Sequence, residues 1–403
     1  MALLEGRRIA LVHDWLTGMR GGEKCLEVFC ELFPQADLYT LVHQAGSVSS
    51  TIAEMPIYTS FLQHIPGGIK HYRYFLPLFP TAIEAFDLSD YDVIISSSHC
   101  AAKGVRVGLN TYHLSYVHAP MRYIWDSFDL YFRRMQTSRL QRLGGEAMRP
   151  YLREWDKSSA KRVHTFLCNS RNIRQKILEY YDRESQVVYP PVDLEAFVPQ
   201  GPVSKQDYYL MVGAFAPNKR VDLAIEAFNR LGLPLKIVGT GQDQEYCQSI
   251  AEPNIEFLGD RDSHELPALY QQARAFVFPG IDDFGITPLE AQAAGTPVLA
   301  FAGGGALETV NEQTGIFFKE ARVDALCAAI EQMEQTWKDF DPAQLRKQTQ
   351  RFGRDRFARQ IANAVQYGYR QWRVDPGPES SGPVDIPEDE EIPSTAAVQE
   401  ASS

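Results

Sequence analysis

The sequence predicts an α/β protein made of two parallel-sheet domains. Three observations lead there. Short apolar runs alternate with longer helix-like stretches along almost the whole chain. Most of those runs are continuously apolar rather than alternating, which suits parallel strands covered on both faces by helices. Finally, 403 residues exceed what one ordinary core organises, and a double proline, Pro190-Pro191, divides the chain near its middle.

The first half offers strands at residues 8–13, 38–42, 91–97, 113–118, 163–169 and 187–189. The second half offers 208–213, 235–239, 255–259, 275–279, 297–301 and 316–318. Between them lies Tyr189-Pro190-Pro191-Val192-Asp193, where two fixed φ angles forbid a continuing helix and mark the hinge. The expected division is therefore a first domain over 1–192 and a second over 193–351. Residues 352–372 read as a long helix, too aromatic on one face to stand free in solvent. Residues 373–403, with PGPESSGP and PEDEEIP, read as a disordered acidic tail.

Charge narrows the function classes. The formal charge is −11, but residues 374–403 hold eight acidic groups and no Lys or Arg, leaving about −3 for the rest. A balance that small argues against bulk nucleic-acid binding. The six cysteines are scattered without a Cys-x-x-Cys pair, so they read as reduced core thiols rather than metal ligands or a disulfide framework. The N-terminal MALLEGRR lacks a signal-peptide apolar region, and no window approaches a membrane span, so a cytoplasmic protein is expected. Residues 131–162 look helical and carry nine Lys/Arg against three Asp/Glu. That stretch is either a solvated helix face or a surface meeting anionic lipid headgroups or a lipid-diphosphate acceptor.

The strongest chemical signal is Asp282-Asp283-Phe284-Gly285-Ile286-Thr287-Pro288-Leu289-Glu290, directly after the 275–279 strand. A strand end, a glycine-containing loop and a helix start follow in series, with two carboxylates eight residues apart. Free backbone N–H groups at such a helix start bind phosphates or sugar hydroxyls. A structural reading competes: Thr287-Pro288-Leu289-Glu290 has the form of a capping box with proline at the first helical position. Capping leaves Asp282 and the Phe-Gly-Ile loop unexplained.

This segment resembles the E-x7-E signature of glycosyltransferase family 4, retaining enzymes of the GT-B fold. Other segments match in the same order and together span nearly the whole chain apart from the tail. Gly18-Met19-Arg20-Gly21-Gly22-Glu23-Lys24 resembles the family's first Gly-Gly loop. The stretch from Ser115 through His118-Ala119-Pro120-Met121-Arg122-Tyr123-Ile124-Trp125-Asp126 resembles its mannosyltransferase branch. Gly213-Ala214-Phe215-Ala216-Pro217-Asn218-Lys219-Arg220 resembles the donor-diphosphate loop, and Gly303-Gly304-Gly305, ahead of Glu308, another loop near the donor. The resemblance implies two Rossmann-like domains facing across a cleft, the first binding acceptor and the second a nucleotide-sugar. The 352–372 helix would cross back onto the first domain.

It also implies roles. Lys219 and Arg220 would stabilise the leaving diphosphate electrostatically. Glu290 would accept hydrogen bonds from ribose hydroxyls, while Asp282 or Asp283 and the backbone of Phe284, Gly285 and Ile286 hold the transferred sugar. His118 would lie near the reacting carbon or the phosphate. Gly21 and Gly22 would let the backbone approach phosphate or acceptor closely. Tyr123, Trp125 and Asp126 are the acceptor-site candidates. Two departures stand out: Asp282 replaces the usual Glu, shortening its reach by about 1.5 Å, and Ala214 occupies a position where many members carry Arg.

The expected reaction is transfer of a hexose, most simply mannose from GDP-mannose, to a sugar or lipid-linked acceptor with retention. Family resemblance suggests front-side displacement with the departing phosphate taking the acceptor's proton. No metal or other cofactor is expected; Asp90-Tyr91-Asp92 leads into a strand and reads as structural. The alternatives are a non-catalytic nucleotide-sugar-binding partner of a polysaccharide assembly complex, or a sugar-nucleotide epimerase of the same fold. A dinucleotide oxidoreductase fails because Gln244 interrupts the G-x-G-x-x-G pattern after Gly239 and Gly241.

Overall fold

The computed structural model describes residues 4–125, 139–201, 203–262 and 264–375. The first sheet joins β1 (Ile9–His13), β2 (Asp37–Thr40), β3 (Ile57–Thr59), β4 (Val93–Ser98), β5 (Tyr112–Val117), β6 (Thr165–Cys168) and β7 (Gln186–Val187). Its spatial order is β3-β2-β1-β4-β5-β6-β7. The second joins β8 (Tyr209–Val212), β9 (Leu235–Val238), β10 (Ile255–Gly259), β11 (Phe276–Phe278), β12 (Val298–Phe301) and β13 (Gly315–Phe318), ordered β10-β9-β8-β11-β12-β13. All these pairings are parallel. Each sheet reverses its winding once, at β1/β4 and at β8/β11. The crevice beyond the carboxyl ends of strands at such a reversal is where open α/β sheets bind ligands.

All twelve sequence-expected strands are present, with ends shifted by at most two residues. The strand that sequence pattern missed is β3, a three-residue edge strand without a buried position, so it shows no apolar run. Asp90 and Asp92 sit at the amino ends of the strands, opposite the crevice, paired with Arg8 and Arg7 at 3.3 Å. The six cysteines are buried and free.

Helix α1 (Gly21–Leu32) packs on the first sheet beside the C-terminal helix of the described chain. Helix α2 (Arg139–Ala160) and α3 (Arg171–Tyr181) cover β5 to β7, and α4 (Val221–Leu231), α5 (Ile286–Ala293) and α6 (Val323–Thr336) flank the second sheet. The long helix α7 spans Arg354–Val374. Its buried Phe357, Ile361, Ala364, Val365 and Tyr369 follow helical spacing and enter the first domain's core. Phe357 stacks on Phe29 at 5.9 Å and meets Tyr116 edge-on at 5.5 Å. Just before it, the Val192 N–H donates to the Phe352 carbonyl at 3.0 Å. The chain therefore passes between the domains twice, side by side.

Where it is described, the basic 131–162 stretch keeps Lys157 and Lys161 exposed, as a solvated face does, while three of its arginines turn onto the protein. Arg149 and Arg153 donate to the Ile124 carbonyl at 2.9 and 2.7 Å, and Arg162 holds the Gly104 carbonyl and Glu84 at 2.6 Å. These cations fasten loops to α2. Beneath them Lys103 and Asp156, both almost fully buried, form an ion pair at 2.8 Å. Tyr181 and Trp125 donate to the same carboxylate at 2.8 and 2.7 Å. Among the described residues no helix is long and apolar enough to cross a membrane.

Candidate active site

At the first sheet's reversal, β1 delivers His13 and then Asp14, β4 delivers Ser97 and then His99, and β5 is followed by His118. His13 and Ser97 are register partners on neighbouring strands. The Ser97 hydroxyl lies between two rings, 3.0 Å from His13 Nδ1 and 2.9 Å from His118 Nε2. His13 Nε2 faces Glu23 Oε1 at 3.7 Å. Buried Asp14 accepts the backbone N–H groups of His99, Cys100, Ala101 and Ala102 at 2.5–2.9 Å, tying down the turn after β4. Burial, reinforced by the neighbouring His99, His13 and Arg122, drives the His118 pKa well below its ordinary value, so the ring is neutral at neutral pH. Burial likewise lowers His99. Burial pulls the Glu23 carboxyl upward, but its contacts with His13 and His99 outweigh that and hold it below the usual range.

At the second reversal, the β8 loop carries Lys219 and Arg220. Lys219 pairs with Asp282, to which Asn218 also donates at 3.3 Å. Arg220 takes a left-handed conformation (φ 52°) at the start of α4 and turns its guanidinium onto Asp222 at 3.2 Å. The capping-box reading of Thr287–Glu290 is corrected here. Helix α5 begins earlier, at Ile286, with Gly285 (φ 93°) at the cap position and no side-chain cap bond. Glu290 is thus left for other partners: Tyr270 donates to it at 2.9 Å and Lys24 of the first domain stands 3.7 Å away. Burial raises its carboxyl above the ordinary range against the opposing pull of Lys24 and Tyr270. The Gly303–Gly305 run is a close contact rather than a slack connection. The Gly305 N–H donates to the Asp282 carbonyl at 2.8 Å, and a Cβ there would lie 2.2 Å from the Phe284 carbonyl.

The two halves meet. A Cβ on Gly21 would stand 2.9 Å from Ile286 Cδ1, and one on Gly22 3.7 Å from His118 Nε2. Asp283, only 7% exposed, reaches across to Arg122, Lys176 (3.1 Å) and Asn172 (3.4 Å). Glu308 accepts the backbone N–H groups of Arg171 and Asn172, at the start of α3, at 2.9 and 3.3 Å. Phe284 points away from the crevice, packed with Val192, Leu289 and Phe352.

The structure thus brings Gly21, Gly22, His118, Lys219, Asp282, Gly285, Ile286 and Glu290 around one crevice. Asp283 turns to the opposite domain instead of standing in for Asp282. Trp125 is occupied by packing: its ring stacks on Tyr180 at 4.4 Å, Arg153 covers it at 4.8 Å, and its N–H is bound by Asp156. Tyr123 is half-buried against the same cluster. Asp126 lies outside the described residues. Sequence reading missed His13, Asp14, Glu23, Ser97, His99, Asn172 and Lys176. Their one local sign was polar residues at the ends of apolar runs, as in His13-Asp14 and Ser96-Ser97-Ser98-His99.

Comparison with known proteins agrees. The family model described as Glycosyltransferase Family 4 matches residues 28–196, and that described as Glycosyl transferases group 1 matches 192–356. The O-antigen chain mannosyltransferase RfbU of Salmonella typhimurium is 30% identical over 161 residues, 37% of this chain and 45% of the relative. The O-antigen chain mannosyltransferase B of Escherichia coli is 28% identical over 174 residues, 40% of this chain and 45% of the relative. The chain thus spans less than half the length of these curated relatives. Among solved structures, sucrose-phosphate synthase from Thermosynechococcus elongatus superposes with a TM-score of 0.66 at 18% identity, covering 91% of this chain and all of that one. Anabaena Alr3699/HepE in complex with UDP gives 0.64 at 16%, covering 89% and 99%. Such low identities speak to the fold, which is the two-domain GT-B arrangement. With one family model ending in the hinge where the other begins, this chain belongs to glycosyltransferase family 4.

Proposed function

We propose that the protein is a retaining hexosyltransferase of polysaccharide biosynthesis, moving mannose from GDP-mannose onto a glycan or lipid-linked acceptor without a metal. One observation carries this: the Gly21-Gly22 turn of one domain abuts the Gly285-Ile286 helix start of the other, with Lys219, Asp282, Glu290 and His118 around the junction. Two O-antigen mannosyltransferases among the relatives support mannose.

In this reading Glu290 accepts the ribose hydroxyls, a task suited to a buried carboxylate already accepting from Tyr270. Lys219 exchanges the Asp282 carboxylate for the donor's diphosphate and stabilises the charge that develops as the glycosidic bond breaks. Asp282, released, accepts sugar hydroxyls. The backbone N–H groups at the start of α5 face the same crevice. The departing phosphate takes the acceptor's proton, and the closed crevice keeps water away. We place the acceptor side at a cytoplasmic membrane face. In support, residues 56–83 contain no Asp or Glu and expose Phe61, Tyr74 and Leu78 beside Lys70 and Arg73.

The Lys219–Asp282 ion pair favours a second reading, a nucleotide-sugar-binding partner without turnover, because the two groups satisfy each other. Thermal shift against GDP, UDP and ADP and their mannose, glucose and N-acetylglucosamine conjugates, followed by nucleotide release with EDTA present, tests both. A GDP-mannose shift with release, lost in Lys219→Ala and Glu290→Ala, is the expected result. A shift without release in the presence of lipid-linked acceptors selects the second reading. No shift with any nucleotide-sugar overturns both.

A further inference from the structure

The group of polar side chains beneath His118 belongs to no assigned role. We propose that Glu23, His13 and Ser97 form a positioning chain that fixes His118 as its Nε2–H tautomer and so presents Nδ1 as the ring's acceptor. The argument is one of directions. His13 Nε2 is buried, has no hydrogen-bond partner within normal distance among the described residues, and faces the Glu23 carboxylate at 3.7 Å. A proton on that nitrogen is attracted by the carboxylate, and a lone pair there is repelled, so His13 carries its hydrogen on Nε2. In a neutral ring Nδ1 must then accept, and the neighbour at 3.0 Å is the Ser97 hydroxyl. Serine has one proton to donate. Having given it to His13, Ser97 can only accept at its second contact, 2.9 Å away, so His118 Nε2 must donate. Glu23 is itself held by the Arg20 N–H at 3.0 Å, and the Asn169 amide holds the His118 carbonyl at 2.9 Å. Neither end of the chain is loose.

The consequence deepens the transferase reading and rests on it for its catalytic meaning. A neutral His118 with a free Nδ1 lone pair accepts a hydrogen bond from a substrate hydroxyl. It does not act as a cation on the donor's phosphates. Ser97, His13 and Glu23 act through His118 and are positioning residues.

The test is the tautomer itself. Long-range 1H–15N correlation on 15N-histidine-labelled protein at pH 7.5, with His118 assigned by its loss in His118→Gln, distinguishes Nε2–H, Nδ1–H and imidazolium rings. The expected pattern is neutral Nε2–H in the wild type, changed to a mixture or to Nδ1–H in Ser97→Ala, and restored in Ser97→Thr, which keeps the hydroxyl. An Nδ1–H or charged His118 in the wild type overturns the proposal, as does an unchanged ring in Ser97→Ala. Melting curves show whether the alanine variant folds; if it does not, the wild-type and threonine spectra still decide. If sugar transfer is found, Ser97→Ala lowers kcat by about 10²-fold with little change in donor KM, the size of effect a misplaced positioning group produces. Absence of any transfer would count against the transferase reading and leave the tautomer result standing.

Discussion

Replacing Asp283 with asparagine removes a carboxylate that the loop after β11 extends into the opposite domain, onto Arg122 and Lys176. Breaking a fully buried ion pair from one side costs about 3–5 kcal/mol. Asp283 is 8% exposed at its side chain, but Lys176 is 22% and Arg122 36% exposed, so solvent screens the cations and the contribution falls to about 1–2 kcal/mol. Asparagine keeps the shape and can still accept from Asn172, which at 3.4 Å is a weak contact. Because the bonds join two domains, the loss falls mainly on the equilibrium between apposed and parted domains. A shift of about 1–2 kcal/mol is about 5- to 30-fold in that equilibrium. Distance distributions between a label on each domain, measured by single-pair fluorescence transfer at low salt, should move toward longer separations in Asp283→Asn. Raising the salt should narrow the difference from the wild type. Unchanged distributions at low salt, in a variant that melts like the wild type, would refute the assignment of Asp283 to domain closure.

Glu290 gives a pH signature. Its folded-state carboxyl is raised by burial, so the folded protein holds that proton more tightly than the unfolded chain; stability is full below about pH 4.5 and declines as pH rises through the folded value. Glu290→Gln, which cannot ionise, should therefore gain in melting temperature over the wild type between pH 4.5 and 7.5, while losing nucleotide-sugar affinity by calorimetry; a gain that shrinks with pH contradicts the sign. Lys103→Met should cost about 3 kcal/mol in urea unfolding, because Asp156 is left as a buried charge; a cost below about 1 kcal/mol would show the pair to be solvated. Gly305→Ala forces a methyl against the Phe284 carbonyl and should cost about 1–3 kcal/mol and abolish the nucleotide thermal shift; a normal shift would show that the Asp282–Ile286 loop yields freely.

What could be read from the sequence was what lies close together along it. Parallel strands buried on both faces announce themselves as apolar runs, and the Asp282–Glu290 segment is contiguous. The missed features join residues far apart. Asp14 serves the turn at 99–102, Ser97 links His13 to His118, and Glu308 caps the start of α3. Asp283 was legible only as an alternative to Asp282; its partners Arg122 and Lys176 come from the other domain. Trp125 shows the opposite error. An aromatic ring in a motif-like stretch reads as a binding platform until its neighbours Tyr180, Arg153 and Asp156 fill both faces and the N–H. The capping-box pattern at Thr287 failed because Gly285, with its positive φ, starts the helix two residues sooner.

The side-by-side passage of Val192 and Phe352 has a consequence for how such a protein can change over generations. Everything between those residues is, in topological terms, an insert whose entry and exit lie a hydrogen bond apart. A recombination event that replaced this insert would have two neighbouring junctions to heal and would leave the first domain's core, including α7, intact. The second domain could thus be exchanged as a cassette while the first is inherited unchanged, which under the proposed function would let one lineage acquire new sugars without rebuilding what it decorates.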